Sequence, residues 1–145
     1  MCNSRFKFRA WDECNKIMHH NFQFIKSGDE NNDWIVFTSD KQKLSDKPHP
    51  FENPYFQLQL KLMQYTGLLD KNGKEIYEGD IIKDLLTNAV YLVKIGFCKK
   101  YAFTGVYVED SDGSQNMINN DSDQKSNSNI EIIGNIYENP ELLNP

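Results

Sequence analysis

The sequence predicts a small, mainly β protein: an antiparallel barrel-like or two-sheet fold with long polar loops and a short C-terminal helical turn. Three observations carry that expectation. Apolar and polar residues alternate at period two, not 3.6, most cleanly over residues 6–11 and 56–62. The chain is rich in aromatics, with nine Phe, seven Tyr and two Trp, and these favour strands together with Val, Ile and Thr. Turn-forming clusters separate about seven or eight such segments. A length of 145 residues suits one domain, 1–145.

Taken in order, residues 6–11 alternate strictly. Phe6, Phe8 and Ala10 share one face of a strand, and Lys7, Arg9 and Trp11 share the other. A polar connection leads to a weaker strand over 17–25, so residues 5–25 read as a hairpin. A polar stretch at 27–33 precedes Trp34-Ile35-Val36-Phe37-Thr38, a short and strongly β run. Residues 39–54 carry Pro48, Pro50 and Pro54. Prolines so close together fit neither a central strand nor a helix interior, so a loop is expected. In residues 56–62, Phe56, Leu58, Leu60 and Leu62 should face a core, with Gln57, Gln59 and Lys61 in water. Leu62 and Met63 then stand side by side, which implies a bulge or the end of the strand. A helix over 55–65 is the alternative, but the apolar spacing fits 3.6 poorly.

Asp70-Lys71-Asn72-Gly73 reads as a tight turn in which Asn72 and Gly73 both take positive φ. Ile76-Tyr77 and Glu78-Gly79-Asp80 follow, then a strand over 81–83, with Gly79 supplying backbone freedom at its start. Residues 90–97 and 101–108 make two more strands, with Gly96 and Lys99-Lys100 near the turn between them. Residues 109–129 are nearly all Asp, Ser, Asn, Gly and Gln, interrupted by Met117 and Ile118. They cannot bury enough apolar area to offset ordering entropy, so a mobile loop is expected. Residues 130–137 form the last strand, with Gly134 a bulge or a site of close approach. Residues 138–143 form a helical turn with Pro140 near its start. The variable loops fall at about 27–54 and 109–129, and no internal repeat is present.

The net charge of −5 is unevenly spread: residues 1–26 carry +3 and residues 109–145 carry −7. Overall acidity argues against non-specific nucleic-acid binding, which rests on neutralising phosphates. The simpler role of such charge is solubility. No signal peptide and no apolar run of membrane-spanning length is visible. Cys2, Cys14 and Cys98 are odd in number and widely spaced, unlike a disulfide framework. A cytoplasmic protein with free thiols and no membrane partner is expected.

Three chemistries can be weighed. Glu75, Glu78 and Asp80 cluster near one turn, and such carboxylates can do acid–base work or hold a hard cation. Their more ordinary role is as turn charges, with Asp80 accepting local backbone N–H groups, and no loop spaces oxygens as a calcium site does. His19 and His20 are adjacent, so on a strand they point to opposite faces, and with His49 and the cysteines they show no zinc spacing. No nucleophile signature and no phosphate loop occurs, so no metal, cofactor or catalytic residue is assigned. The remaining candidate is a binding surface made of Lys7, Arg9 and Trp11, with Lys16 nearby. Cations beside an aromatic can hold a nucleic-acid strand by phosphate contact and stacking. The competing role for that face is packing of Trp11 against a neighbour or a second subunit.

Three segments together resemble one family. Lys7-Phe8-Arg9-Ala10-Trp11-Asp12 is similar to the start of the YopX family of phage and prophage proteins from Gram-positive bacteria. The run from Leu62-Met63-Gln64-Tyr65-Thr66-Gly67-Leu68 through Asp70-Lys71-Asn72-Gly73-Lys74-Glu75-Ile76-Tyr77-Glu78-Gly79-Asp80-Ile81-Ile82 resembles its central block. Ile133-Gly134-Asn135-Ile136-Tyr137-Glu138-Asn139-Pro140-Glu141-Leu142-Leu143 resembles its closing block. The resemblance implies a β-rich, barrel-like fold and self-association, and carries over no activity. The expected function is therefore a non-enzymatic binding or interaction module in a bacterial host cell. It would act as a homo-oligomer, with a host or phage protein as a further partner. The alternative is a nucleic-acid-binding β-barrel that uses the basic first strand.

Overall fold

In the computed structural model the chain is mainly β, built of antiparallel sheets, one of them curled into a half-barrel, with a lone 3-10 turn at the C-terminal end. The structure describes residues 7–13, 16–20, 22–26, 34–38, 60–118 and 128–144. They group into two compact units, one of Lys7–Met63 and one built on Gln64–Pro145.

In the Lys7–Met63 unit, β1 (Phe8–Asp12) pairs antiparallel with β2 (Ile17–His20), in register from Arg9 opposite His20 to Asp12 opposite Ile17. The turn closes through Lys16 N–H donating to Asp12 O at 2.8 Å, with Lys16 at φ 56°. The expected hairpin is thus present but stops at His20. β3 (Phe22–Lys26) pairs instead with β4 (Trp34–Thr38), Phe22 opposite Thr38 and Lys26 opposite Trp34. The other neighbour of β1 is β5 (Leu60–Leu69), in which the boundary between the units falls. The Pro-rich loop expected at 39–54 and the first part of the 56–62 segment lie outside the described residues.

Two sequence expectations about burial fail here. Arg9, Ala10, Trp11 and Asp12 are only 6%, 1%, 4% and 5% exposed, so β1 has no wet face. A strand flanked on both edges and covered on both sides does not show alternation in its burial. In β5 Lys61 is exposed as expected, but Leu62, expected to face a core, is 45% exposed, and the buried side chain is its neighbour Met63, 1% exposed. The irregularity expected at Leu62-Met63 sits further on. The register shifts between Tyr65 and Leu69 around Gly67, whose φ is 86°. There Thr66 Oγ1 donates to Ile76 O at 2.7 Å and accepts from Leu68 N–H at 3.2 Å. The helical alternative over 55–65 fails, because residues 60–65 are strand.

In the Gln64–Pro145 unit, the rest of β5 pairs with β6 (Glu75–Tyr77). A five-stranded antiparallel sheet follows, of β7 (Asp80–Asp84), β8 (Val90–Cys98), β9 (Phe103–Glu109), β10 (Gln115–Asn116) and β11 (Ile130–Asn135). Its spatial order is β10-β9-β8-β7-β11. The core gathers Ile76, Ile82, Val93, Val108 and Ile130, with Leu68, Tyr91, Val106, Ile118 and Ile132 packed against it. Within the loop expected over 109–129, Gln115-Asn116 pairs with Val108-Glu109, the rest of 110–118 is turn or irregular, and residues 119–127 lie outside the described residues.

At β11 the register shifts between Ile132 and Gly134, so a bulge is present. Close approach is present too. A Cβ on Gly134 would stand 2.6 Å from Asn139 Oδ1 and 2.9 Å from both Asn139 Cβ and Leu142 Cδ1. The 3-10 turn Pro140–Leu143 folds back there and packs on β8. Gly134→Ala should therefore lower stability by about 1–3 kcal/mol, an overpacking cost, read as a fall in the urea midpoint. An unchanged midpoint would show that the C-terminal turn swings away freely.

Candidate functional site

Five residues of the sequence reading belong to turns, and their geometry is local. In Asp70-Lys71-Asn72-Gly73-Lys74, Asp70 N–H donates to Lys74 O at 2.8 Å and Gly73 N–H to Asp70 O at 2.9 Å. Gly73 alone among these takes positive φ, at 76°, so Asn72 does not share the left-handed conformation expected of it. Asp70 does what the Asn-Gly pair was expected to do. Its carboxylate is 1% exposed, and Oδ1 accepts Asn72 N–H at 2.8 Å and Lys74 N–H at 2.9 Å. Its Oδ2 accepts Ile132 N–H at 3.3 Å, while Lys71 N–H reaches Ile130 O at 2.9 Å.

The Glu78-Gly79-Asp80 corner is equally committed to backbone. Gly79, at φ 83°, donates N–H to Val93 O and accepts Ile136 N–H, both at 2.9 Å. Glu78 N–H donates to Gln64 O at 2.8 Å. Asp80, 1% exposed, accepts Tyr77 N–H at 2.8 Å through Oδ2. It is therefore a buried partner of the chain and not the exposed turn charge expected. Glu75 Oε2 accepts the Tyr77 hydroxyl at 2.8 Å. Among the described residues no group of three or more His, Cys, Asp or Glu converges as a metal site.

The proposed basic face comes apart. Lys7 and Lys16 are exposed, but Arg9 and Trp11 are buried. Arg9 Nε donates to Met63 Sδ at 3.4 Å, and Trp11 Nε1 donates to Glu13 Oε2 at 2.8 Å. Lys16 Nζ is 2.5 Å from Glu13 Oε1. These two donors, Lys16 first, hold the Glu13 carboxyl below its usual range. A depressed carboxylate adds stability at neutral pH and loses it as the pH falls through the folded-state pKa. The four residues do not form one solvent-facing strip for a nucleic-acid strand. His19 and His20 sit on opposite faces, His19 Nε2 lying 3.7 Å from Asp12 Oδ2. Cys98 is buried as a free thiol, whereas Cys2, Cys14 and His49 lie outside the described residues.

A cleft of about 410 Å³ opens on the five-stranded sheet instead. Its floor is the core itself, Ile82, Val108 and Ile130, and its walls include Tyr91, Tyr101, Leu86, Met117 and Ile118. Leu86, Tyr101 and Met117 are 74%, 45% and 52% exposed, unusual for such side chains. Each is placed by a turn. Asp84 Oδ1 accepts Leu86 N–H at 2.8 Å and holds the β7–β8 turn. Tyr101 precedes Ala102, which takes φ 51° in the β8–β9 turn. Met117 and Ile118 follow β10, returned to the sheet by a second Asp-x-x-Gly turn. In it Gly113 N–H donates to Asp110 O at 3.0 Å, and Asp110 Oδ1 accepts Asp112 and Ser114 N–H at 3.2 and 3.0 Å. Beside it the Asp112 carboxyl is lowered to about 2, first by the Ser114 hydroxyl.

None of these cleft residues was singled out from sequence. The one available signal was Met117-Ile118, an apolar pair in an otherwise polar stretch.

The profile of the family described as YopX protein matches residues 7–144. Among solved structures, protein EF1440 from Enterococcus faecalis is similar, at 26% identity and TM-score 0.58, covering 95% of this chain and 97% of that one. Protein yopX from Bacillus subtilis is more distant, at 20% identity and TM-score 0.46, covering 96% of each chain. No curated protein matches. Among the described residues no helix is long and apolar enough to cross a membrane.

The two Asp-x-x-Gly turns make a controlled pair. Asp70→Ala leaves three inward backbone N–H groups without their acceptor and should cost about 2–4 kcal/mol by denaturant titration. Asp110→Ala exposes the same two turn N–H groups to water and should cost about 1 kcal/mol or less. Equal costs would mean that burial at Asp70 is not what makes that turn important.

Proposed function

The chain belongs to the YopX family, and on that premise we propose that it is a non-catalytic binding module, phage- or prophage-encoded, working in the cytoplasm of a bacterial host. The observation that carries the binding role is the cleft, where three exposed apolar walls stand over an apolar floor. Open apolar clefts of a few hundred Å³ with a few polar groups are the usual form of a binding site. Of the carboxylates that a catalytic reading would use, Asp80 supports the non-catalytic one: it accepts a backbone N–H group and is sealed from solvent. The binding role is tested with a neutral probe. N-phenylnaphthylamine should bind saturably, read by its fluorescence, and Leu86→Asp should weaken it about tenfold by placing a charge on the wall. Weak, non-saturating uptake unaffected by Leu86→Asp would remove the cleft as the site.

Self-association is part of the same proposal. It rests on the family resemblance, and Phe97, 58% exposed on β8 and no part of the cleft lining, is a side chain that contact between copies would cover. Light scattering after size exclusion at micromolar concentration should return a multiple of the chain mass. A monomer throughout would remove this part and leave the binding role standing. A host or phage component is the further partner in this reading.

A further inference from the structure

We propose that the cleft of the Gln64–Pro145 unit takes a small organic anion: an apolar, ring-bearing body over Ile82, Val108 and Ile130, with its negative group at Lys100. This rests on the binding role assigned above and adds the ligand class. Two observations carry it: the floor of the cleft, and the charge at its rim.

Ile82, Val108 and Ile130 belong to the buried core, and the cleft opens directly above them. A volume of about 410 Å³ accommodates one or two fused rings with a substituent. Tyr91 and Tyr101 give the walls aromatic faces, against which a ring gains offset or edge contacts.

The rim decides the sign of the ligand. Lys100 Nζ donates to Asn116 Oδ1 at 3.0 Å and stands 5.2 Å from the centre of the Tyr101 ring, and both of those residues line the cleft. Both partners are neutral, so the ammonium charge is held in place without being cancelled by them. Lys99 is next to it, and the two backbone N–H groups of Lys99 and Lys100 converge on Gln115 Oε1 at 2.8 and 3.3 Å, which fixes the turn. Lys100 stands beside the cleft and not in its lining; the charged residue of the lining itself is Asp84, at the far end of β8. Its Oδ1 is already taken by Leu86 and Thr87 N–H at 2.8 and 3.4 Å. The cleft therefore has a positive charge beside its Lys100 end and a carboxylate, turned to its own backbone, at the other. Lys71 and Lys94, by contrast, are paired with Glu131 and Glu109 at 3.0 and 3.4 Å.

The test compares two probes of nearly the same shape, anionic anilinonaphthalene sulfonate and neutral N-phenylnaphthylamine, by fluorescence titration of the full chain. The sulfonate should bind more tightly, and added salt should narrow the difference. Lys100→Glu should weaken the sulfonate about three- to tenfold and leave the neutral probe within about twofold. Lys100→Gln should give a smaller loss of the same sign. Ile17→Ser, outside the cleft, should change neither probe, and circular dichroism of each variant establishes that it is folded. If both probes bind equally and ignore Lys100, the anion is overturned while the cleft survives as a binding site. If neither binds saturably, the cleft reading itself is overturned.

Discussion

The carboxylate of Asp70 is the constraint on which the Gln64–Pro145 unit is built. It sits at the tip of the β5–β6 hairpin, buried, and its two oxygens do different work. Oδ1 closes its own turn by accepting Asn72 and Lys74 N–H. Oδ2 reaches a residue 62 positions later, Ile132 on β11. β11 is an edge strand of the five-stranded sheet. An edge presents backbone groups that water or another chain would otherwise take. Here Asp70 and Lys71 occupy two of them, so one side chain shapes a hairpin and also docks it to the sheet. A buried carboxylate is costly unless its lone pairs are filled, and filling them with backbone N–H groups makes the arrangement specific as well as tolerable.

The Asp110 turn shows what that burial adds. It has the same spacing and the same four hydrogen bonds within the turn. Local chemistry alone therefore forms the turn, since an Asp at its start and a Gly at its left-handed position satisfy it in either setting. What differs is the surroundings. Asp110 serves a solvent-facing return to β10, whereas Asp70 carries a long-range contact. The corner at Gly79 repeats this economy with backbone alone, donating to Val93 and accepting from Ile136.

The elements of the fold were legible because period-two patterning and turn residues are local signals. β1 and β2, β7 to β9, β11 and the Pro140 turn all fall near the expected positions. Burial was less legible, because it depends on what covers a strand. Arg9 and Trp11 read as a wet face from alternation, yet lie inside. Leu62 read as a core side chain, yet is exposed. Asn72-Gly73 looked like the controlling pair of its turn, but the controlling group was Asp70, whose role needs Ile132 to be visible. The segments carrying the family resemblance contain Gly67, Asp70, Gly73, Gly79, Asp80 and Gly134. Those positions hold positive φ, buried carboxylates or a close approach. The resemblance thus marks the backbone framework, which explains why it speaks to fold and is silent about chemistry.

The cleft was illegible for a further reason: it is made where elements stop. Leu86, Tyr101 and Met117 come from three connections, and composition gives no register for loops. Two of those connections are governed by Asp side chains that accept backbone N–H groups, Asp84 and Asp110. These two acidic residues are thus spent on holding apolar side chains at the sheet's open side. A rigid, backbone-anchored rim can keep an apolar floor available to a ligand. The one rim charge held against neutral partners, Lys100, is then the feature best placed to decide what the cleft accepts.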